Sequence, residues 1–77
     1  MSTTYGYAYA RPDGKVKRVG GFTSRREAAT YLGHSLHDNG YLPKAEAQWL
    51  ARAALRADGA VQVAGWLAKI TTTEEEA

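Results

Sequence analysis

Large and small residues alternate strictly through Tyr5-Gly6-Tyr7-Ala8-Tyr9-Ala10. A period of two predicts a strand with one bulky face and one nearly bare face. Arg11-Pro12-Asp13-Gly14 follows; proline presets φ and Asp-Gly tolerates positive φ, so the chain is expected to reverse there. Lys15-Val16-Lys17-Arg18-Val19 reads as the returning strand. Val16 and Val19 fall on opposite parities, so either the register shifts or the strand ends early. Gly20-Gly21 is the natural place for a bulge or break.

Beyond Phe22 the period changes to that of a helix. Ser24 and Glu27 have capping-box spacing, and Ala28, Tyr31, Leu32, Ser35 and Leu36 recur on one helical face. Asn39-Gly40 ends this helix, with Gly40 suited to the left-handed C′ position. Pro43 suits the first position of a second helix. Its apolar stripe is Ala47, Leu50, Ala54 and Ala57, with Trp49 and Ala53 widening one edge and Asp58-Gly59 closing the helix. So many alanines imply close approach to a neighbouring element.

Residues 60–72 admit two readings. One is a strand in which a bulge at Gly65 reconciles Val61 and Val63 with Trp66, Ala68 and Ile70; the other is a helix with Val63, Leu67 and Ile70 on one side. The β-branched residues and the threonine run favour the strand. The expected fold is α+β: a small antiparallel sheet in β-β-α-α-β order, with two helices packed on one face and the other face open. Residues 1–73 are expected to form a single domain and 74–77 an acidic flexible tail.

A chain of 77 residues has room for one domain. It has no cysteine, so stability must come from core packing or oligomerisation, and a homo-oligomer is one outcome to expect. No apolar run approaches the roughly 18 residues that span a bilayer, and Met1-Ser2-Thr3-Thr4 lacks the basic and apolar regions of a signal peptide. The expected location is cytoplasmic, with no membrane partner. The net charge of +2 conceals an uneven layout, because three of the eight acids sit together at Glu74-Glu75-Glu76. The body then carries ten basic side chains against five acidic ones, and a basic body favours anionic partners.

Enzyme chemistry finds little support. His34 and His37 lie three apart beside Asp38, but a metal site needs three or four ligands and no further histidine or cysteine exists. Histidines near a helix C-terminus are favoured by the dipole, and that is the better reading. Ser2, Ser24 and Ser35 lie in no nucleophile motif, and Gly20-Gly21 leads into no phosphate loop. No cofactor and no metal are expected, and no residue is assigned a catalytic role.

Two clusters are candidates for binding. Tyr5, Tyr7 and Tyr9 share one strand face; they either pack against the helices or form an aromatic contact platform on the open side. So small a domain needs its large side chains inside, which favours the core. Arg11, Lys15, Lys17 and Arg18 surround the turn, and Arg25 and Arg26 open the first helix. Cations at a helix N-terminus oppose the macrodipole, whereas phosphate would use both these side chains and the free N–H groups there. A second basic row, Lys44, Gln48, Arg52 and Arg56 at spacing four, reads as a solvated helix face.

Tyr5-Gly6-Tyr7-Ala8-Tyr9, Asp13-Gly14-Lys15-Val16-Lys17-Arg18 and Gly21-Phe22-Thr23-Ser24-Arg25-Arg26-Glu27-Ala28 together resemble the arm-type DNA-binding domain of phage integrases and the related AP2-like domain. The resemblance spans residues 5–32. It implies a small sheet seated in the DNA major groove, with Tyr7, Tyr9, Arg11, Lys15, Lys17 and Arg18 facing DNA. The expected function is a small non-enzymatic binding module for nucleic acid, DNA above all, acting through the basic hairpin and the helix N-terminus. The alternative is a protein-binding accessory factor or inhibitor from a phage or mobile element, acting on a host protein complex through the tyrosine-rich face.

Overall fold

A computed structural model describes residues 2–57 and 59–75. The elements are β1 (Ser2–Ala10), β2 (Val16–Phe22), α1 (Arg25–Asp38), α2 (Lys44–Arg56), β3 (Val61–Val63) and β4 (Trp66–Glu75). The strands form one antiparallel sheet in the order β2-β1-β4-β3, and α1 and α2 pack side by side on one face. The α+β class and the helices on a single face match the reading of the sequence. The last element does not: it is a hairpin, not one bulged strand. Ala64 (φ 50) and Gly65 (φ 86) form a two-residue turn of positive φ, the geometry that matches the twist of the strands it joins. β4 also runs on to Glu75 and pairs with β1 as far as Ser2. Glu74 and Glu75, expected in a flexible tail, therefore belong to the sheet, while Glu76, Ala77 and Asp58 lie outside the described residues.

The tyrosine face of β1 turns inward. Tyr7 and Tyr9 are only 5% and 3% exposed, and they lie in the core with Leu32, Leu36, Leu50, Trp66 and Ala68. Their rings belong to a continuous aromatic layer between sheet and helices. Tyr31 stacks on Phe22 (5.1 Å), Phe22 on Tyr7 (6.0 Å) and Tyr7 on Tyr9 (6.2 Å), with Trp66 and Tyr41 completing the far end. The core reading thus holds for Tyr7 and Tyr9 and the open contact platform does not, because the domain is too small to spare these rings; Tyr5 is half-buried and lies outside the core.

β2 solves the parity conflict at its glycines. Tyr7 pairs with Val19 but Tyr5 pairs with Phe22, so one extra residue is inserted in β2, and Gly21 takes a φ of 90. That bulge brings both Val19 and Phe22 against the core. Val16 needs no register shift; it points to the open face and is exposed.

The helices follow their predicted signals with one rotation. Ser24 Oγ accepts from the Glu27 N–H at 3.1 Å, while the Glu27 carboxylate accepts from the Thr23 hydroxyl instead of reaching back to Ser24. At the other end the Gly40 N–H donates to His37 O and the Tyr41 N–H to Leu36 O, satisfying the last carbonyls. Pro43 stands at the N-cap of α2, directly before its first turn. The inward faces are Ala28, Ala29, Leu32, Gly33 and Leu36 on α1, and Ala47, Leu50, Ala51 and Ala54 on α2. Tyr31 and Trp49, assigned to these stripes from spacing, are 52% and 60% exposed. The core instead widens toward the helix–helix contact, where small residues let the backbones approach. A Cβ built on Gly33 would sit 3.5 Å from the Ala51 Cβ.

The bare face of β1 is equally constrained. A Cβ on Gly6 would overlap the Val19 carbonyl oxygen and stand 2.9 Å from both Gly20 Cα and Thr71 Oγ1. Two of these obstacles are backbone and cannot rotate away. Gly6→Ala is therefore expected to destabilise the fold by about 1–3 kcal/mol, a drop in Tm on the order of 10 °C for a domain of this size. Thermal unfolding followed by circular dichroism measures this; an unchanged Tm would mean that β1 and β2 do not approach this closely at the bulge.

Candidate nucleic-acid interface

Six cations were expected to act together, and the structure separates them. Arg11 is engaged twice: its guanidinium pairs with Asp13 at 3.2 Å and lies 4.9 Å from the centre of the Tyr41 ring. Lys15 sits in the turn, where its N–H donates to Asp13 Oδ1. Lys17 pairs with Tyr9 at the sheet edge, whereas Arg18 pairs with Ala8 and so belongs to the opposite, open face.

Arg25 and Arg26 are adjacent in sequence and unlike in role. Arg25 Nη2 donates to Leu55 O at 3.0 Å and to Ala57 O at 3.3 Å. Those carbonyls end α2 and have no partner within the helix, so Arg25 ties the start of α1 to the end of α2. Arg26 has turned away to the outer surface of the helix layer.

There Arg26 joins residues that were not grouped with it. A groove of about 590 Å³ runs between the two helices. Its floor is small and apolar: Ala29, Gly33, Ala51 and Leu55. Its walls are Arg26, Thr30, His34 and His37 from α1, and Lys44, Gln48, Arg52 and Arg56 from α2, all exposed. Four cations and two histidines thus face one cleft, and among the described residues no carboxylate lines it. The second basic row, read as a solvated face, is one wall of this groove. The signal for the other wall was present in the spacing of Arg26, Thr30, His34 and His37. Joining the two walls required the helices to be antiparallel neighbours, which the short link 39–43 favours.

The open sheet face holds a weaker cationic cluster. Cross-strand partners share a face, so Arg18, Ala8 and Lys69 form one row, and Val16, Ala10 and Leu67 the next. Ala8 is only 6% exposed although no helix covers this face; its cross-strand partners there are Arg18 and Lys69. Thr71 and Thr73 line the same shallow depression.

Among the described residues, no group of three or more His, Cys, Asp or Glu is placed to hold a metal ion, and none of the helices is long and apolar enough to cross a membrane.

The contrast within the arginine pair is directly testable. Arg25→Ala removes two charge-assisted hydrogen bonds at a partly buried site and should lower stability by about 1–3 kcal/mol while leaving polyanion affinity at temperatures below unfolding unchanged. Arg26→Ala should do the reverse. Chemical denaturation alongside a binding titration with duplex DNA separates the two, and equal effects of both variants on affinity would contradict the assignment.

Comparison of the chain with protein-family models, with curated proteins and with solved structures returns no match in any of the three.

Proposed function

We propose that this chain is a non-enzymatic nucleic-acid-binding module that holds phosphate in the groove between α1 and α2. The observation that carries the proposal is the lining of that groove: Arg26, Lys44, Arg52 and Arg56 converge on one cleft together with His34, His37 and Gln48. Arg26 and Lys44 stand in the first turns of α1 and α2, where the helix dipole disfavours a cation, whereas Arg56 in the last turn of α2 is favoured by it. Arg52 and Arg56 are four apart on α2, and like charges at that spacing disfavour a helix by a few tenths of a kcal/mol. An anion in the groove reverses the sign of that contribution. The apolar floor keeps the cationic side chains on the rim, where a phosphate backbone can meet them without entering a deep pocket.

Such an interface reads charge before sequence, so binding should be weak and steeply dependent on salt. The alternative use of the tyrosine face by a protein partner lacks its anchors, since Tyr7 and Tyr9 lie beneath the helices.

With up to four groove cations engaged, log K against log salt should fall with a slope of about −3. Arg26→Ala, Arg52→Ala and Arg56→Ala should each weaken binding and flatten that slope by roughly 0.7–0.9. Arg18→Ala and Lys69→Ala, on the opposite face, should leave both quantities near wild type. The proposal fails if mixed-sequence nucleic acid does not bind even at low salt, or if only the sheet-face pair matters, which would move the interface to the open face of the sheet.

A further inference from the structure

The helical surface carries one large apolar side chain that the fold does not use. Trp49 is 60% exposed, is absent from the core and its packed margin, and makes none of the ring–ring contacts that link the other aromatic residues. Its helix is already anchored on the opposite side by Ala47, Leu50, Ala51 and Ala54. The position of Trp49 relative to the groove follows from helix geometry. Residues seven apart lie within about 20° of each other around an α-helix, and residues three apart within about 60°. Arg56 and Arg52 are seven and three residues on from Trp49, and both line the groove. The indole therefore stands on the outer shoulder of the α2 wall, beside two of the cations proposed to hold phosphate.

Resting on the groove reading above, we infer that the ligand is a single-stranded nucleic acid, with Trp49 stacking on an unpaired base while the adjacent arginines hold its phosphates. Charge alone would not choose between strands. An exposed aromatic face does, because the bases of a duplex are already stacked on one another and present only their edges in the grooves. A single strand can lay a base flat on the indole while its backbone runs along the rim. Base–aromatic stacking tolerates any sequence, since every base has a π-face, which suits an interface with few groups positioned to read base edges. A protein partner that fills its own pocket with Trp49 is the competing occupant. Arg52 and Arg56 beside the indole outnumber Glu46, which lies three residues before it on the other side, and favour a phosphate-bearing chain.

The test uses the intact chain and three probes at low salt: a mixed-sequence single-stranded oligonucleotide, the same sequence as a duplex, and inorganic polyphosphate, which has charge but no bases. The single strand should bind tighter than the duplex and quench tryptophan fluorescence. Trp49→Phe should abolish that quenching, since the remaining Trp66 is only 7% exposed. Trp49→Ala should weaken the single strand by about 5- to 150-fold and leave polyphosphate affinity unchanged, with the circular dichroism spectrum intact. Duplex bound at least as tightly as single strand, with Trp49→Ala neutral, overturns the inference and leaves the groove reading standing. Absence of binding to all three probes removes the groove reading itself. Self-association that Trp49→Ala abolishes, without effect on the oligonucleotide, assigns the indole to a second copy and also overturns it.

Discussion

The burial of the tyrosine face of β1 decides the rest of this architecture. β1 is central to the sheet, flanked by β2 and β4, and its two faces differ as much as two faces can. One offers Tyr5, Tyr7 and Tyr9; the other offers Gly6, Ala8 and Ala10. Placing Tyr7 and Tyr9 under the helices removes two large aromatic side chains from water in a chain without disulfides, and that fixes which side of the sheet the helices cover. Every parity along the other strands follows. Arg18 and Lys69 must point away from the helices, and Val19, Trp66 and Ala68 must point toward them. Were the sheet reversed, the aromatic layer would be exposed and the helices would rest on glycine and alanine with little to bury.

The same economy shapes the helix layer. With the tyrosine and tryptophan rings filling the space above the sheet, α1 and α2 meet each other mainly through Gly33, Ala29, Ala47 and Ala51. Small residues there permit close approach and leave a shallow trough on the outside instead of a ridge. The long cationic side chains then have nowhere to go except the rims. Arg25 secures the arrangement from one end by bonding the last carbonyls of α2, and the link 39–43 secures it from the other. The groove is thus a consequence of how the helices pack, and its charge is what the sequence added.

Much of this was legible from pattern, and the failures have definite causes. The strand, the turn at Asp13-Gly14, the Ser24 cap and the glycine bulge each rest on local chemistry, and local chemistry is what a sequence displays. The terminal hairpin was missed because Ala64-Gly65 is not one of the usual Asn-Gly or Asp-Gly pairs: alanine at a φ of 50 is disfavoured in isolation and is held there by the strands around it. Tyr31 and Trp49 were drawn into the buried stripes because helical spacing fixes a direction only to within a residue, and the apolar floor of α1 and α2 is made of glycine and alanine, which carry little hydropathic signal. The dispersal of the six cations has a different cause. Proximity along the chain is not proximity in space: Arg25 and Arg26 point to different surfaces, and Arg11 pairs with Asp13. Lys44, Arg52 and Arg56 reach Arg26 only through tertiary packing.

That distinction bears on how a basic surface of this kind is weighed. A cation already paired, as Arg11 is with Asp13, or spent on carbonyls, as Arg25 is with Leu55 and Ala57, contributes little to attracting a polyanion, because an incoming phosphate must first displace what it holds. The cations along the groove carry no such engagement among the described hydrogen bonds and ion pairs. Net charge counts both kinds alike, so the total of ten basic residues says less about binding than the few that are exposed, unpaired and convergent. In this chain four of them converge on the groove between the helices, and Arg18 with Lys69 form a smaller cluster on the open sheet face.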